Sequence, residues 1–337
     1  MTKINIISGF LGAGKTTLIQ KLLGEIFQDE KVLLIENEFG EIGIDGGFLK
    51  GTGIEIREIN SGCICCSLKG EFCKALEEAV KQYNPDRILI EPSGVGKLSD
   101  VMKAVGELKD KQSVTLENSL TVADVTKYVL YQKNFGEFFN DQIRYADTIL
   151  LSRTDKADRA KIMLCREELR KVNPKASVIT TPLEKLSGVQ ILEVMETQEE
   201  IIDSGEMEQK VPDEKLGSVK LRRLRSAPRI SRFDSQHHSD DKFSSWSMET
   251  ANVFTHQELE QILKELDEDN CFILRVKGAV ESVKGEWLYF NMVPGEWEIN
   301  KGEPQYTGKV VVIGTSLDVD KLQRLFEGSQ AGVPLKS

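Results

Sequence analysis

Several protein classes are excluded by what this chain of 337 residues has little of. No apolar run approaches the roughly 20 residues that a membrane helix needs, so no membrane span is expected. Met1 to Ser8 passes straight into a strand-like run and then a glycine-rich loop, without the pattern of a secretory signal. That predicts a cytoplasmic protein. Six cysteines in so long a chain are not the framework of a disulfide-stapled secreted domain. A basic excess is also missing: 44 Lys and Arg stand against 54 Asp and Glu, for a net charge of −10. General nucleic-acid or anionic-membrane binders lean the other way. Neither is expected as a partner, although a local phosphate site would override the global charge.

What remains is ordinary globular composition, 40% hydrophobic and 29% charged. A single core rarely grows past about 250–300 residues, which predicts two domains. In the first, residues 1–195, short apolar runs alternate with segments of helical period. The runs are Lys3 to Ile7, Val32 to Ile35, Glu55 to Ile59, Arg87 to Ile90, Leu120 to Ala123 and Thr148 to Leu151. The helical segments are Lys15 to Leu23, Gly70 to Gln82, Leu98 to Leu108 and Asp158 to Val172. Such alternation predicts an α/β fold with a mostly parallel sheet covered by helices on both faces. Residues 196–252 are polar and read as a linker. It carries a basic run (Lys220, Arg222, Arg223, Arg225, Arg229, Arg232) and the pair His237 and His238, read as solvated groups. Residues 253–330 read as a small α+β domain. Thr255 with Glu258 predicts a capping box for a helix ending near Leu266. Four strand-like runs (Phe272 to Val276, Glu286 to Val293, Trp297 to Ile299, Lys309 to Ile313) and a helix over Asp318 to Phe326 complete it, with the helices on one face of an antiparallel sheet.

Gly9-Phe10-Leu11-Gly12-Ala13-Gly14-Lys15-Thr16 matches the phosphate-cradling P-loop, and Thr17 continues it. It lies between a strand and an amphipathic helix, as that motif requires. Glycines let backbone N–H groups approach phosphate oxygens, and the helix N-terminus adds positive potential. Lys15 is the candidate for the β- and γ-phosphates and Thr16 for Mg²⁺. Mg²⁺ prefers hard oxygen ligands, which makes Glu91, at the end of the fourth apolar run, the candidate second ligand. Gly94 in Pro92-Ser93-Gly94 could offer an N–H to the γ-phosphate. Glu38 and Asp45, in an acidic glycine-containing loop, could position the attacking water or touch the metal, or simply face solvent. Ser152-Arg153-Thr154-Asp155 stands where a base would be read. The Asp155 carboxylate can accept from both N1–H and the exocyclic amine of guanine, a donor pair adenine lacks.

Gly62-Cys63-Ile64-Cys65-Cys66 places three thiols in four residues on a turn. Thiolates favour soft ions such as Zn²⁺ over Mg²⁺. Three protein ligands leave one tetrahedral position open, which suits exchange better than scaffolding. Redox activity and simple burial are the competing readings. Cys73 either joins the cluster or packs, while Cys165 and Cys271 read as core.

These motifs, in this order and together with Asn37-Glu38-Phe39-Gly40-Glu41, resemble the CobW-type GTPases, metallochaperones of the same class as the urease and hydrogenase nickel-insertion GTPases. Arg275-Val276-Lys277-Gly278 is similar to that family's Arg-x-Lys-Gly strand. The resemblance implies GTP hydrolysis coupled to delivery of Zn²⁺ or Co²⁺ to a client metalloprotein or cofactor-assembly protein, with Cys63, Cys65 and Cys66 on the metal, and it allows a homodimer. Ser152 stands where the base-reading motif usually has Asn, and Pro92 where Thr is usual. Only three histidines are present, where many members carry a histidine-rich stretch. A small-molecule kinase or plain ATPase, and a non-catalytic nucleotide- and metal-responsive regulator, are the alternative readings.

Overall fold

The computed structural model describes residues 1–36, 55–58, 69–109, 113–197, 243–268 and 272–327. The first unit is a sheet of β1 (Thr2–Gly9), β2 (Val32–Glu36), β3 (Glu55–Glu58), β4 (Arg87–Glu91), β5 (Val114–Asp124), β6 (Thr148–Ser152) and β7 (Ser177–Ile179). The strand order is β3-β2-β4-β1-β5-β6-β7 and every pairing is parallel. Helices α1 (Lys15–Glu25), α2 (Lys69–Tyr83), α3 (Leu98–Lys109), α4 (Tyr128–Arg144), α5 (Arg159–Val172) and α6 (Gly188–Thr197) cover it.

The strands read as continuous apolar runs because both their faces are buried. Leu33, Ile35, Ile88, Ile90, Ile149 and Leu151 point into a core shared with α2, α3, α4 and α5. The alternate positions Leu34, Leu89 and Leu150 join Leu18, Ile19 and Leu22 of α1 and Ile191 and Val194 of α6 on the opposite face.

The second unit contains β8 (Ser244–Thr250), β9 (Val253–Phe254), α7 (His256–Asp267), β10 (Phe272–Ser282), β11 (Trp287–Val293), β12 (Glu296–Gly302), β13 (Gly308–Thr315) and α8 (Val319–Glu327). Its antiparallel path runs β12-β11-β10-β13-β8, with β9 added parallel to the end of β10. One face carries α7 and α8: Leu259, Leu263, Leu322 and Phe326 pack with Val276, Val280, Phe290 and Val312. This is the arrangement expected of the small α+β unit. The other face docks on the first unit. Leu274, Val311, Ile313 and the preceding Phe243 enter the core that contains Phe10 and α4. The Phe243 ring lies 5.0 Å from Phe138 and 5.5 Å from Phe135.

Five elements have no counterpart in the sequence reading, β7, β8, β9, α4 and α6, and two of them show why. Strand β8 falls inside the span 196–252 read as linker, yet it pairs with β13 from Ser244 to Thr250. As an edge strand it needs few apolar residues, and only Trp246 and Met248 pack against the core beneath. Helix α4 has no counterpart in that reading. Its buried Tyr128, Tyr131, Phe135, Phe138, Phe139 and Gln142 keep the helical period, but aromatics favour strands, and Gly136 weakens the helical signal. The helix is kinked there, with Phe135 at φ −131° and ψ 27°. Cys165 is buried in the core as expected. Cys271, the basic run and His237 and His238 lie outside the described residues. No helix among the described residues is long and apolar enough to cross a membrane.

The capping box forms as read: Thr255 Oγ1 accepts from Glu258 N at 3.1 Å, and the Glu258 carboxylate accepts from Thr255 N at 2.7 Å. Thr255→Ala should cost about 1 kcal/mol of stability, measured as a lower denaturant midpoint. An unchanged midpoint would show that the cap carries no weight here.

Candidate functional site

Strand β1 ends at Gly9 and α1 begins at Lys15, so the chain between them must turn tightly at the carboxyl edge of the sheet. Gly9 and Ala13 are buried within this turn. Gly14 caps α1 in the left-handed region, at φ 102° and ψ 23°. Gly12 is doubly constrained. Its φ is 68°, and a Cβ there would fall 2.3 Å from Cγ1 of Val293. The turn is therefore shaped by glycine as the cradle reading requires.

Lys15, only 5% exposed, folds back over the turn. Its Nζ lies 3.4 Å from the Phe10 carbonyl and 3.8 Å from Glu91 Oε1. The Thr16 hydroxyl lies 3.4 and 3.5 Å from the two carboxylate oxygens of Glu91. Glu91 ends β4, the parallel neighbour of β1, and so arrives beside the start of α1. A hydroxyl and a carboxylate side by side are hard oxygen donors, a set that fits Mg²⁺. Beyond Glu91, Gly94 presses its backbone on the cradle: a Cβ there would meet Leu11 N at 2.9 Å. Gln142 Nε2 holds that loop by donating to the carbonyls of Gly94 and Gly96, at 3.0 and 2.8 Å.

At the end of β6, Ser152 is buried and its Oγ has no hydrogen-bond partner. Arg153 adopts a left-handed backbone, φ 57°, before the 3-10 turn Thr154–Lys156. Its guanidinium donates to the Gly12 carbonyl at 3.3 Å and lies 3.2 Å from Asp124. It also pairs with Glu296. Arg153 therefore ties the segment Ser152 to Asp155 to the cradle. Asp155 is exposed on the turn.

One cleft of about 640 Å³ gathers Gly12, Gly14, Lys15, Thr16, Thr17, Glu91 and Arg153. Gly9, Ala13, Gly94, Ser152 and Asp155 do not line it. Its opposite wall was not foreseen as a site: Arg275, Lys277, Tyr289, Asn291, Glu298 and Asn300, all from the second unit. The available signal was their alternation with apolar neighbours along β10, β11 and β12, which gives that sheet a polar face. The sequence does not say what that face covers.

The turn between β11 and β12 fastens the two walls together. Val293 rests on Gly12, Lys127 Nζ donates to the Pro294 carbonyl, and Glu296 pairs with Arg153 and, at 2.7 Å, with Lys156. Burial pushes the Lys127 ammonium below its ordinary pKa, against the opposing pull of Asp124. The Lys156 hydrogen bond and then the Arg153 charge hold the Glu296 carboxyl below its ordinary value.

Glu38, Asp45, Cys63, Cys65 and Cys66 lie outside the described residues. Among the described residues no group of three or more His, Cys, Asp or Glu side chains could hold a metal ion. Cys73 is buried, with its Sγ 3.7 Å from the Ala104 carbonyl.

A carboxyl with a depressed folded pKa stabilises fully above its unfolded pKa and loses that contribution as pH falls through the folded value. The wild type should therefore melt higher than Glu296→Gln at pH 7, and the gap should close below the ordinary value of 4.5. Equal melting temperatures at pH 7 would show that this pair does not fasten the units.

Comparison with known proteins follows the same division of the chain. Residues 3–180 match the family model "CobW/HypB/UreG, nucleotide-binding domain" and residues 243–330 match "Cobalamin synthesis protein cobW C-terminal domain". The chain is similar to the zinc chaperone YeiR of Escherichia coli, 36% identical over 156 residues, which are 46% of this chain and 48% of that protein. It is also similar to the zinc-regulated GTPase metalloprotein activator 1 of Schizosaccharomyces pombe, 30% identical over 196 residues, 55% of this chain and 47% of that protein. The chain spans about half the length of the curated relatives it matches. Among solved structures, the Zn(II)-bound YjiA GTPase of E. coli aligns over 97% of this chain and 98% of its own, at 21% identity and a TM-score of 0.43. With its nucleotide-binding model matched over more than half its length, the chain belongs to the CobW/HypB/UreG family.

Proposed function

We propose that this protein is a GTP-hydrolysing metallochaperone that holds a transition metal, Zn²⁺ or Co²⁺, at Cys63, Cys65 and Cys66 and delivers it to a client protein or cofactor pathway. The observation that carries the nucleotide half is the convergence of Lys15, Thr16 and Glu91, at 3.4–3.8 Å, on a glycine-shaped turn at a helix N-terminus. The relatives' names, zinc chaperone and zinc-regulated GTPase metalloprotein activator, support the metal half.

In this reading the backbone N–H groups from Gly12 to Thr16 cradle the β-phosphate. Lys15 leaves Glu91 and the Phe10 carbonyl for the β- and γ-phosphates, as a cation does when offered a polyanion in place of one carboxylate. Thr16 and Glu91 hold Mg²⁺, which would neutralise charge on the phosphate oxygens. Asp155 accepts from N1–H and the amine of guanine, while Arg153 lays its stem along the base and keeps its bond to the Gly12 carbonyl. Glu38 or Asp45 orients the water. Its oxygen bonds to the γ-phosphorus as the bond to the β–γ bridging oxygen breaks, and GDP and phosphate leave.

The metal is cargo. Three thiolates suit a soft or borderline ion and leave a position through which it can be passed on. The cysteine turn and the acidic loop follow β3 and β2, which are neighbours in the sheet next to β4. Nucleotide state is therefore read as the lever on thiolate geometry, and such coupling is reciprocal.

Lys15→Ala should weaken GTP binding by about 10- to 100-fold, the worth of its charge-assisted bonds. Glu91→Gln should bind GTP but hydrolyse it at least about tenfold more slowly, measured as phosphate release. Wild-type rates in both variants would remove the P-loop from the chemistry. Zn²⁺ titration should give different affinities with a GTP analogue and with GDP, and Cys65→Ser should lose most of the binding in both states. Equal affinities in the two nucleotide states would refute the coupling, and no zinc uptake by reduced protein would refute the cargo site.

A further inference from the structure

The cleft above the cradle is more than an open P-loop, because its far wall is charged opposite to the chain as a whole. Three cations and two carboxylates line that wall, a net +1, and the whole cleft is net +2 in a protein of net −10. Lys15 and Arg153 belong to the near wall, and Lys301 pairs outward with Glu286 at 2.7 Å. Arg275 and Lys277 of the far wall stand two residues apart on β10 and therefore on the same face of the sheet. We infer that Arg275 and Lys277 contact the triphosphate of the nucleotide held by the P-loop, so that the second unit supplies half of the nucleotide site. This rests on the reading of the P-loop as a GTP site.

Packing fixes both side chains toward the cleft. On β10, Val276 and Val280 point into the core under α7 and α8. Gly278 points the same way and is covered by the Phe290 ring, which a Cβ there would meet at 2.0 Å. Rotating the strand to turn Lys277 away would drive these groups out of that core. Lys277 is only 9% exposed, and Arg275 is half-buried with its Nε lacking any hydrogen-bond partner. A buried guanidinium N–H without an acceptor is costly, and a phosphate oxygen is its best-matched acceptor. Arg275 also acts electrostatically on Tyr131, whose ring packs 4.5 Å from that of Phe10, the second residue of the cradle. The wall is held at the cradle by Val293 on Gly12 and by the Arg153–Glu296 pair. Beside the two cations stand Tyr289 and the amides of Asn291 and Asn300, which donate to the wall's Glu298 carboxylate at 3.5 and 3.4 Å.

A guanidinium that meets the γ-phosphate distinguishes GTP from GDP and stabilises the charge that develops on transfer. The chain would then carry its own arginine in cis. The experiment uses the full chain and measures affinity for GDP and for a non-hydrolysable GTP analogue, together with kcat for GTP, in wild type, Arg275→Ala, Arg275→Lys and Lys277→Met. Thermal melting of each variant reports folding. The expected result is analogue affinity or kcat lowered at least about tenfold in Arg275→Ala, GDP affinity within about threefold of wild type, and partial recovery in Arg275→Lys. Lys277→Met should show the same selective loss and covers the case in which Arg275→Ala does not fold. Variants that fold and match wild type in all three quantities, while wild type binds GTP, would overturn the inference alone. Equal losses for the analogue and GDP, with no recovery in Arg275→Lys, would overturn it in favour of a structural role. Failure of wild type itself to bind GTP would overturn the P-loop reading and this inference with it.

Discussion

The parallel pairing of β1 with β4 is the constraint on which the site depends. Ile6 lies opposite Ile90 in that pair, so Glu91 emerges at the same sheet edge as the glycine turn and the first residues of α1. The helices after the two strands lie on opposite faces of the sheet: α1 packs with Leu34 and Leu89, and α3 with Ile88 and Ile90. The crevice between them is the place where open α/β sheets bind ligands. Lys15 and Thr16 come from one side and Glu91 from the other. A slip of one residue in the pairing would send the strand's side chains to the opposite faces. The apolar alternation of Ile88, Leu89 and Ile90 between two separate cores opposes such a slip.

The second constraint is the docking of the small unit. Its sheet uses both faces, one for α7 and α8 and the other for Leu274, Val311 and Ile313 against the core around Phe10. The aromatic cluster of Phe10, Tyr131, Phe135 and Phe243 joins the cradle to helix α4 and to the entry of the small unit. Phe10 is both a cradle residue and a core residue. Packing thus joins the cradle to the second sheet, whose polar face closes the cleft.

Much of this was legible in the sequence, for physical reasons that can be assigned. The cradle was readable because its glycines, Lys15 and Thr16 act through local geometry between a strand and a helix. The strands ending at Glu91 and Ser152 were readable because full burial makes them plain apolar runs. The cap at Thr255 was readable because both partners lie within one turn. Strand β8 was hidden because an edge strand such as Ser-Ser-Trp-Ser-Met-Glu-Thr carries a weak apolar signal. Helix α4 was hidden because aromatics and Gly136 blur its period. The polar wall of Arg275, Lys277 and Asn291 was visible only as alternation. Its role depends on docking between elements far apart in sequence, which no local pattern encodes. In the sequence, Arg153 is simply one residue of the segment that stands where a base would be read. Its bonds to the Gly12 carbonyl and to Glu296 depend on the same docking.

The proposed function requires the cradle and Asp155 together to select a guanine triphosphate. The most direct measurement is competition of GTP and ATP for a fluorescent guanine nucleotide on the full chain with Mg²⁺ present. GTP should displace the probe at a concentration at least about tenfold lower than ATP, since adenine offers the Asp155 carboxylate no matching donor pair. Displacement by ATP at equal or lower concentration would contradict it.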